Sequence, residues 1–152
     1  MTDQANTAPD AAPLDLQTLS DAGAADVGVE PAAARRAVIA ALGLLDRHAA
    51  VDAMEPLYLA VGGAREAAHS EAARPVRAGG LFGGLMKAAG GVSGKAVADA
   101  MALLDQAEAQ GLDKAALKAL LGALRRRIGA TTGRDILGDA IRSVPGVGPL
   151  LA

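Results

Sequence analysis

The chain has almost nothing large to bury. Of 152 residues one is tyrosine, one is phenylalanine and none is tryptophan or cysteine, whereas about a quarter are alanine. A core must then be assembled from leucine, valine, isoleucine and alanine. Alanine is the best helix former but buries little surface, so stability has to come from many close backbone approaches. Such a chain points to an all-α fold of about six short amphipathic helices in two antiparallel helical units, at a length that suits one domain. The lack of cysteine excludes a disulfide framework, a thiolate nucleophile and a thiolate metal site.

The apolar spacing divides the chain. Residues 1–13 lack periodicity and read as a disordered tail, and residues 14–152 read as a single helical domain. Within it, 14–69 form a first helical unit, 70–92 a glycine-rich connector and 93–152 a second helical unit. The first unit holds a weak helix over 14–27 ending near Gly28, then a helix over 31–48 opened by Pro31, whose missing N–H suits a first turn. Met54, Leu57, Tyr58 and Val61 at i, i+3, i+4, i+7 line a short third helix that Gly62 and Gly63 end.

In the second unit a helix over 93–110 presents Val97, Met101 and Leu104 and stops at Gly111. The next opens at Asp113 as N-cap, with Leu112 and Leu117 placed as a hydrophobic staple. It buries Leu117, Leu120, Leu121, Leu124 and Ile128 and ends at Gly129. A last helix over 132–144, on Ile136, Leu137, Ala140 and Ile141, stops at Pro145.

The stripe from Leu117 to Ile128 lies 83 residues after Ala34, Ala37, Val38, Ala41 and Leu45. Leu137, Ala140, Ile141 and Val144 keep that offset from Met54, Leu57, Tyr58 and Val61. This is the pattern of a duplicated helix–turn–helix unit. The helices preceding the two units do not match in register, and alanine-rich amphipathic helices align easily by chance.

Charge is unevenly spread. Asp3, Asp10, Asp15, Asp21, Asp26 and Glu30 precede the first basic residue, Arg35, whereas residues 72–98 hold Arg74, Arg77, Lys87 and Lys95 without an acid. The N-terminus has neither a basic flank nor an apolar run, and no stretch approaches the roughly 20 apolar residues that span a bilayer. A cytoplasmic protein, with a peripheral membrane role as the variant, is the expectation.

No motif carries catalysis. "GGVSGKA" at 90–96 resembles a phosphate loop but has alanine at 89 and at 96, where glycine and a metal-binding hydroxyl are required. Glu66 and His69 have the Glu-x-x-His spacing of di-iron bundles without the further carboxylates, and His48 sits in no such motif. "VPGVGPLLA" resembles the hairpin of helix–hairpin–helix modules, without the helix that should follow. Arg125, Arg126 and Arg127 near a helix C-terminus suit the macrodipole as well as phosphates, and the net charge of −2 disfavours nucleic acid. No catalytic residue, metal site or cofactor is expected, and the chain reads as a non-enzyme.

The remaining feature is "GGLFGGLMKAAGG" at 79–91. As a helix it would group Leu81, Phe82, Leu85 and Met86 on one side, with glycines at four-residue spacing. Each glycine costs about 1 kcal/mol relative to alanine, so the segment needs a partner. A neighbouring helix fits, and so does an anionic lipid surface met by Lys87 and Lys95 as well. The helix openings "GVEPAAARRAVIAALGLL" and "GLDKAALKALLGALRRR", with the endings "AVGG" and "SVPG", resemble small bacterial helical domains of unknown function of the VcgC/VcgE type over about residues 14–151. The resemblance implies no activity and no site. The expected function is a helical interaction or structural protein that self-associates or docks a protein partner. The alternative is a peripheral lipid-binding protein using residues 72–98.

Overall fold

The computed structural model describes residues 12–74 and 91–152, with side chains of the second stretch from residue 94. Among these residues eight α-helices follow one another: α1 Leu16–Val27, α2 Pro31–His48, α3 Val51–Ala60, α4 Ala64–Ala68, α5 Gly91–Ala109, α6 Lys114–Thr132, α7 Ile136–Arg142 and α8 Gly148–Leu151. A 3-10 turn, Glu71–Ala73, follows α4. The one departure from all-α architecture among the described residues is a parallel pairing of β1 Leu14–Asp15 with β2 Val61–Gly62, in the register Leu14 to Val61.

The helix starts follow from local chemistry. Asp15 accepts from Thr18 N at 3.0 Å, and Asp113 accepts from Ala116 N at 2.8 Å, each satisfying a backbone donor that an N-terminus leaves unpaired. Pro31 occupies the first turn of α2 as expected. Leu112 and Leu117, the staple pair, are both buried.

The correspondence of elements at the 83-residue offset extends further than the sequence suggests. With an offset of 83 residues α2 falls on α6, α3 on α7, α4 on α8, and α1 on the C-terminal part of α5. Val29 N donates to Ala24 O at 3.0 Å, and Leu112 N donates to Ala107 O at 2.8 Å. Between them Gly28 and Gly111 take φ of 73° and 93°, the left-handed stop that glycine adopts without a Cβ penalty. His69 N on Arg65 O, at 3.2 Å, is repeated by Ala152 N on Gly148 O, at 2.8 Å. The expectation that the preceding helices fall out of register is thus corrected: α1 and α5 end in register, and they differ only where α5 extends further back.

The halves are interlocked. α1 packs on α6 and α5 packs on α2, so each first helix lies on the long helix of the other half. α3 packs on its own counterpart α7, and α2 touches α6. Mutual exchange of this kind is the self-complementary contact that a two-fold relation produces. The stripe Ala34, Ala37, Val38, Ala41, Leu45 and its counterpart Leu117, Leu120, Leu121, Leu124, Ile128 are all buried.

Several expectations are corrected. Gly129 lies inside α6, which runs to Thr132 and is capped by Gly133 at φ 76°. Thr132 Oγ1 bonds back to Ile128 O at 2.7 Å across the expected stop. The last long element starts at Ile136 rather than 132, because Asp135 is its N-cap. α5 buries Ala96, Ala100, Leu103 and Ala107, while Met101 is exposed and Val97 and Leu104 are half-buried. α5 packs on α2 with a face that is mostly alanine. The segment after Gly63 holds α4 as well as the 3-10 turn, so the part of the connector that is described is structured.

Gly43 shows how tight these approaches are. A Cβ there would fall within contact of the Ala73 carbonyl oxygen and 2.6 Å from the Ala73 Cβ. Arg47 Nη1 donates to the same carbonyl at 3.2 Å, tying the turn to α2. Gly43→Ala should therefore lower stability by about 1–3 kcal/mol through overpacking, although alanine has the higher helix propensity. Chemical denaturation checks this; a gain in stability would show that the turn is free to move.

Candidate functional site

The sequence-predicted surface residues Leu81, Phe82, Leu85, Met86 and Lys87 lie outside the described residues. Lys95 is described, exposed on the early part of α5. Residues 91–96 of the phosphate-loop-like stretch are helical, so they form no loop that could wrap a phosphate. The hairpin-like stretch 144–152 itself contains the four-residue α8, and its Val144, Val147 and Leu151 are buried.

The two histidines are each engaged by one carboxylate. His48 Nε2 lies 2.7 Å from Asp99 Oδ2, and Arg47 Nε donates to the same oxygen at 3.4 Å, joining α2 to α5. His69 Nε2 lies 2.9 Å from Asp46 Oδ2. Tyr58 Oη donates to the other oxygen of Asp46, and the Arg65 guanidinium sits 4.5 Å from the Tyr58 ring centroid while bonding Glu55 at 2.7 Å. This cluster clips α2, α3 and α4 together. Burial first, and then the Asp46 carboxylate, push the Tyr58 hydroxyl well above its ordinary range. Protonated at neutral pH like any phenol, it donates to Asp46, which suits a structural tie. Glu66 stands apart from this cluster, and no group of three or more potential metal ligands occurs among the described residues.

A second constellation lies at the start of α7. Asp135 caps that helix by accepting from Gly138 N at 3.1 Å. Arg125 Nε and Nη2 donate to its two oxygens at 3.1 and 2.6 Å, and Arg142 Nη1 adds a bond of 3.3 Å. The Arg125 hydrogen bond is the main cause that holds the Asp135 carboxyl down at about 2, against partial burial that opposes it. Beside it an open groove of about 310 Å³ is lined by Gly122, Arg125, Arg126 and Asp135. A larger groove, about 440 Å³, runs between α1 and α6 along Thr18, Ala22, Arg127 and Ala130. There Arg127 forms a two-pronged pair with Asp26 at 2.7 and 2.8 Å, which lowers the Asp26 carboxyl.

Sequence reasoning missed Asp46, Tyr58, Asp99 and Asp135 as partners because each tie joins separate helices. Only Asp135 carried a local signal, a helix-capping residue directly ahead of an apolar pair. No protein-family model, curated protein or solved structure matches the chain, so the function is argued from its own residues.

Because the Asp135 carboxyl is depressed below its ordinary value of about 4, its stabilising contribution is complete above that pH and drains away as pH falls towards 2. Asp135→Ala, which loses cap and ion pairs, should cost about 1–2 kcal/mol at neutral pH, and Asp135→Asn, which keeps a cap acceptor, less. In thermal melts the gap between wild type and Asp135→Asn should close between pH 4 and pH 2. A gap independent of pH would show that the ion pairs contribute nothing.

Proposed function

We infer that this chain is a non-enzymatic helical interaction protein that self-associates or docks a protein partner. The observation that supports the reading is the outer face of α3. Nearly all the large apolar side chains described are withdrawn into the core, yet Val51 is 75% and Leu59 is 71% exposed. On a helix, residues 51, 55 and 59 are successive members of one four-residue stripe. The pair therefore stands on the side of α3 turned away from α7, with the exposed Glu55 between them. Two aliphatic groups held in water by an ordered helix would gain roughly 1.5–3 kcal/mol each if fully covered by a partner.

The polar groups support the same reading. His48, His69, Tyr58 and Asp135 are spent on ties between helices, and such ties keep a surface rigid enough to present a fixed shape. Pre-ordering of this kind reduces the entropy cost of association.

Sedimentation velocity over micromolar concentrations tests the reading, with Val51→Ser/Leu59→Ser as comparison. Self-association that weakens at least tenfold in the variant, at unchanged melting temperature, is the expected result for the homotypic form. For the heterotypic form, a partner isolated by cross-linking should lose affinity for the same variant. A monomer throughout, with no cross-linked partner sensitive to the variant, would overturn the reading.

A further inference from the structure

The exposed apolar pair on α3 is framed by charge. Asp52 and Glu55 are exposed on the same helix, and the exposed Arg65 reaches over from α4. Its guanidinium sits 4.5 Å from the Tyr58 ring centroid and donates to Glu55 at 2.7 Å. Asp46 holds the Tyr58 hydroxyl in turn, so the cation is fixed at one edge of the face. Asp52 makes no ion pair among the described residues. At about 100° per residue, a face centred on Glu55 carries Val51 and Tyr58 on one side and Leu59 and Asp52 on the other. Along the axis Val51 and Leu59 stand four residues before and after Glu55, and Asp52 and Tyr58 three before and after.

Such a face is its own complement under a two-fold rotation about an axis through Glu55, which exchanges the two ends and the two sides together. Val51 then lies over Leu59 of a second copy. Asp52 lies over Tyr58 of that copy and so against the Arg65 stacked there. Both contacts occur twice, as a two-fold relation requires. At the axis the two Glu55 carboxylates approach each other, each beside a guanidinium that offsets its charge. A parallel arrangement would instead set Asp52 against Asp52 and Arg65 against Arg65, and facing like charges disfavour it. Charge therefore selects the antiparallel register, and the apolar pair fits that register without adjustment.

We propose that α3 is the contact between two copies of this chain, packed antiparallel about Glu55, with Val51 covered by Leu59 of the second copy and Asp52 paired with its Arg65. The proposal rests on the α3 face being an interaction surface, and it adds the occupant and the register. Closed two-fold dimers are the commonest assemblies of identical chains. Tyrosine and arginine are the side chains that interfaces favour, and here the chain's single tyrosine carries an arginine stacked on its ring. A contact built on one ten-residue helix is small, which places the dimer at the weak, transient end of such interfaces.

Cysteine is absent from the chain, so introduced thiols report the register. An equimolar mixture of Val51→Cys and Leu59→Cys should oxidise to a mixed disulfide. Each variant alone should not, because like positions stand about 12 Å apart along the helix axes, beyond disulfide reach. Sedimentation velocity from micromolar to millimolar concentration adds a charge test. Asp52→Arg and Arg65→Glu should each weaken self-association about tenfold, and their equimolar mixture should recover it as a heterodimer. The thiol pair decides the matter where a charge reversal lowers the melting temperature. Self-association lost in Val51→Ser/Leu59→Ser, but with same-residue disulfides or no recovery in a folded mixture, would overturn the proposal and leave the α3 reading standing. A monomer whose cross-linked heterologous partner is lost in that variant would do the same. A monomer with no such partner would overturn both.

Discussion

Close approach between helix backbones is the constraint from which the rest of this structure follows. With so few large side chains to fill a gap, a helix pair gains contact only by moving nearer, and dispersion falls steeply with separation. Alanine and glycine at the contacts allow it. Ala96, Ala100 and Ala107 face inward on α5, Gly43 lies beneath Ala73, and Gly23 sits where a Cβ would come 2.8 Å from Leu124. Among the described residues a small, partly open pocket of about 20 Å³ between the halves is wholly apolar in its lining. At Gly43 the displaced neighbour would be backbone, so that contact tolerates little added volume.

The same constraint explains why the halves interlock. Within the first half α1 and α4 pack on α2, and the remaining sides of the two long helices are met by the other half. Placing α1 on α6 and α5 on α2 covers both long helices at once. The polar ties fall on these crossings: Asp26 with Arg127 joins α1 to α6, and Asp99 with Arg47 and His48 joins α5 to α2. Several of these groups are substantially exposed, so the ties add little stability individually. Their main contribution is to fix which helix meets which, since the apolar faces are too uniform to select a partner alone.

Much of this was legible in the sequence where local chemistry decides. α2 was readable from Pro31 and its stripe, and the start of α6 from Asp113 and the Leu112–Leu117 pair. The errors fell where tertiary packing overrides local signals. Gly129 resembles a stop, but Thr132 bonds back to Ile128 and carries the helix to Gly133. Met101 resembles a core residue, but α5 turns Ala96, Ala100, Leu103 and Ala107 inward and leaves that position exposed. The ties of Asp46 with Tyr58 and His69 join residues 12 and 23 positions apart, a spacing that no helical periodicity encodes. The sequence-predicted interaction residues Leu81, Phe82, Leu85, Met86 and Lys87 lie outside the described residues, and the exposed pair Val51 and Leu59 falls off the stripe Met54, Leu57, Tyr58 and Val61 that marks this helix in the sequence.

The duplication also separates what folding requires from what it leaves open. Where both copies are covered, the residues stay apolar or small: Leu45 and Ile128, Ala41 and Leu124, Val61 and Val144. Elsewhere on the two long helices they diverge. Leu42, Gly43 and Leu44 on α2 become Arg125, Arg126 and Arg127 on α6. Arginine is the side chain that resolves such a position without refolding, because its methylene stem lies along apolar surface while the guanidinium reaches water. Arg127 pairs with Asp26 and Arg125 with Asp135, so both serve as ties between elements. Arg126 stands outside those pairs among the described residues, so packing in the counterpart half gives no reason for a charge at its position.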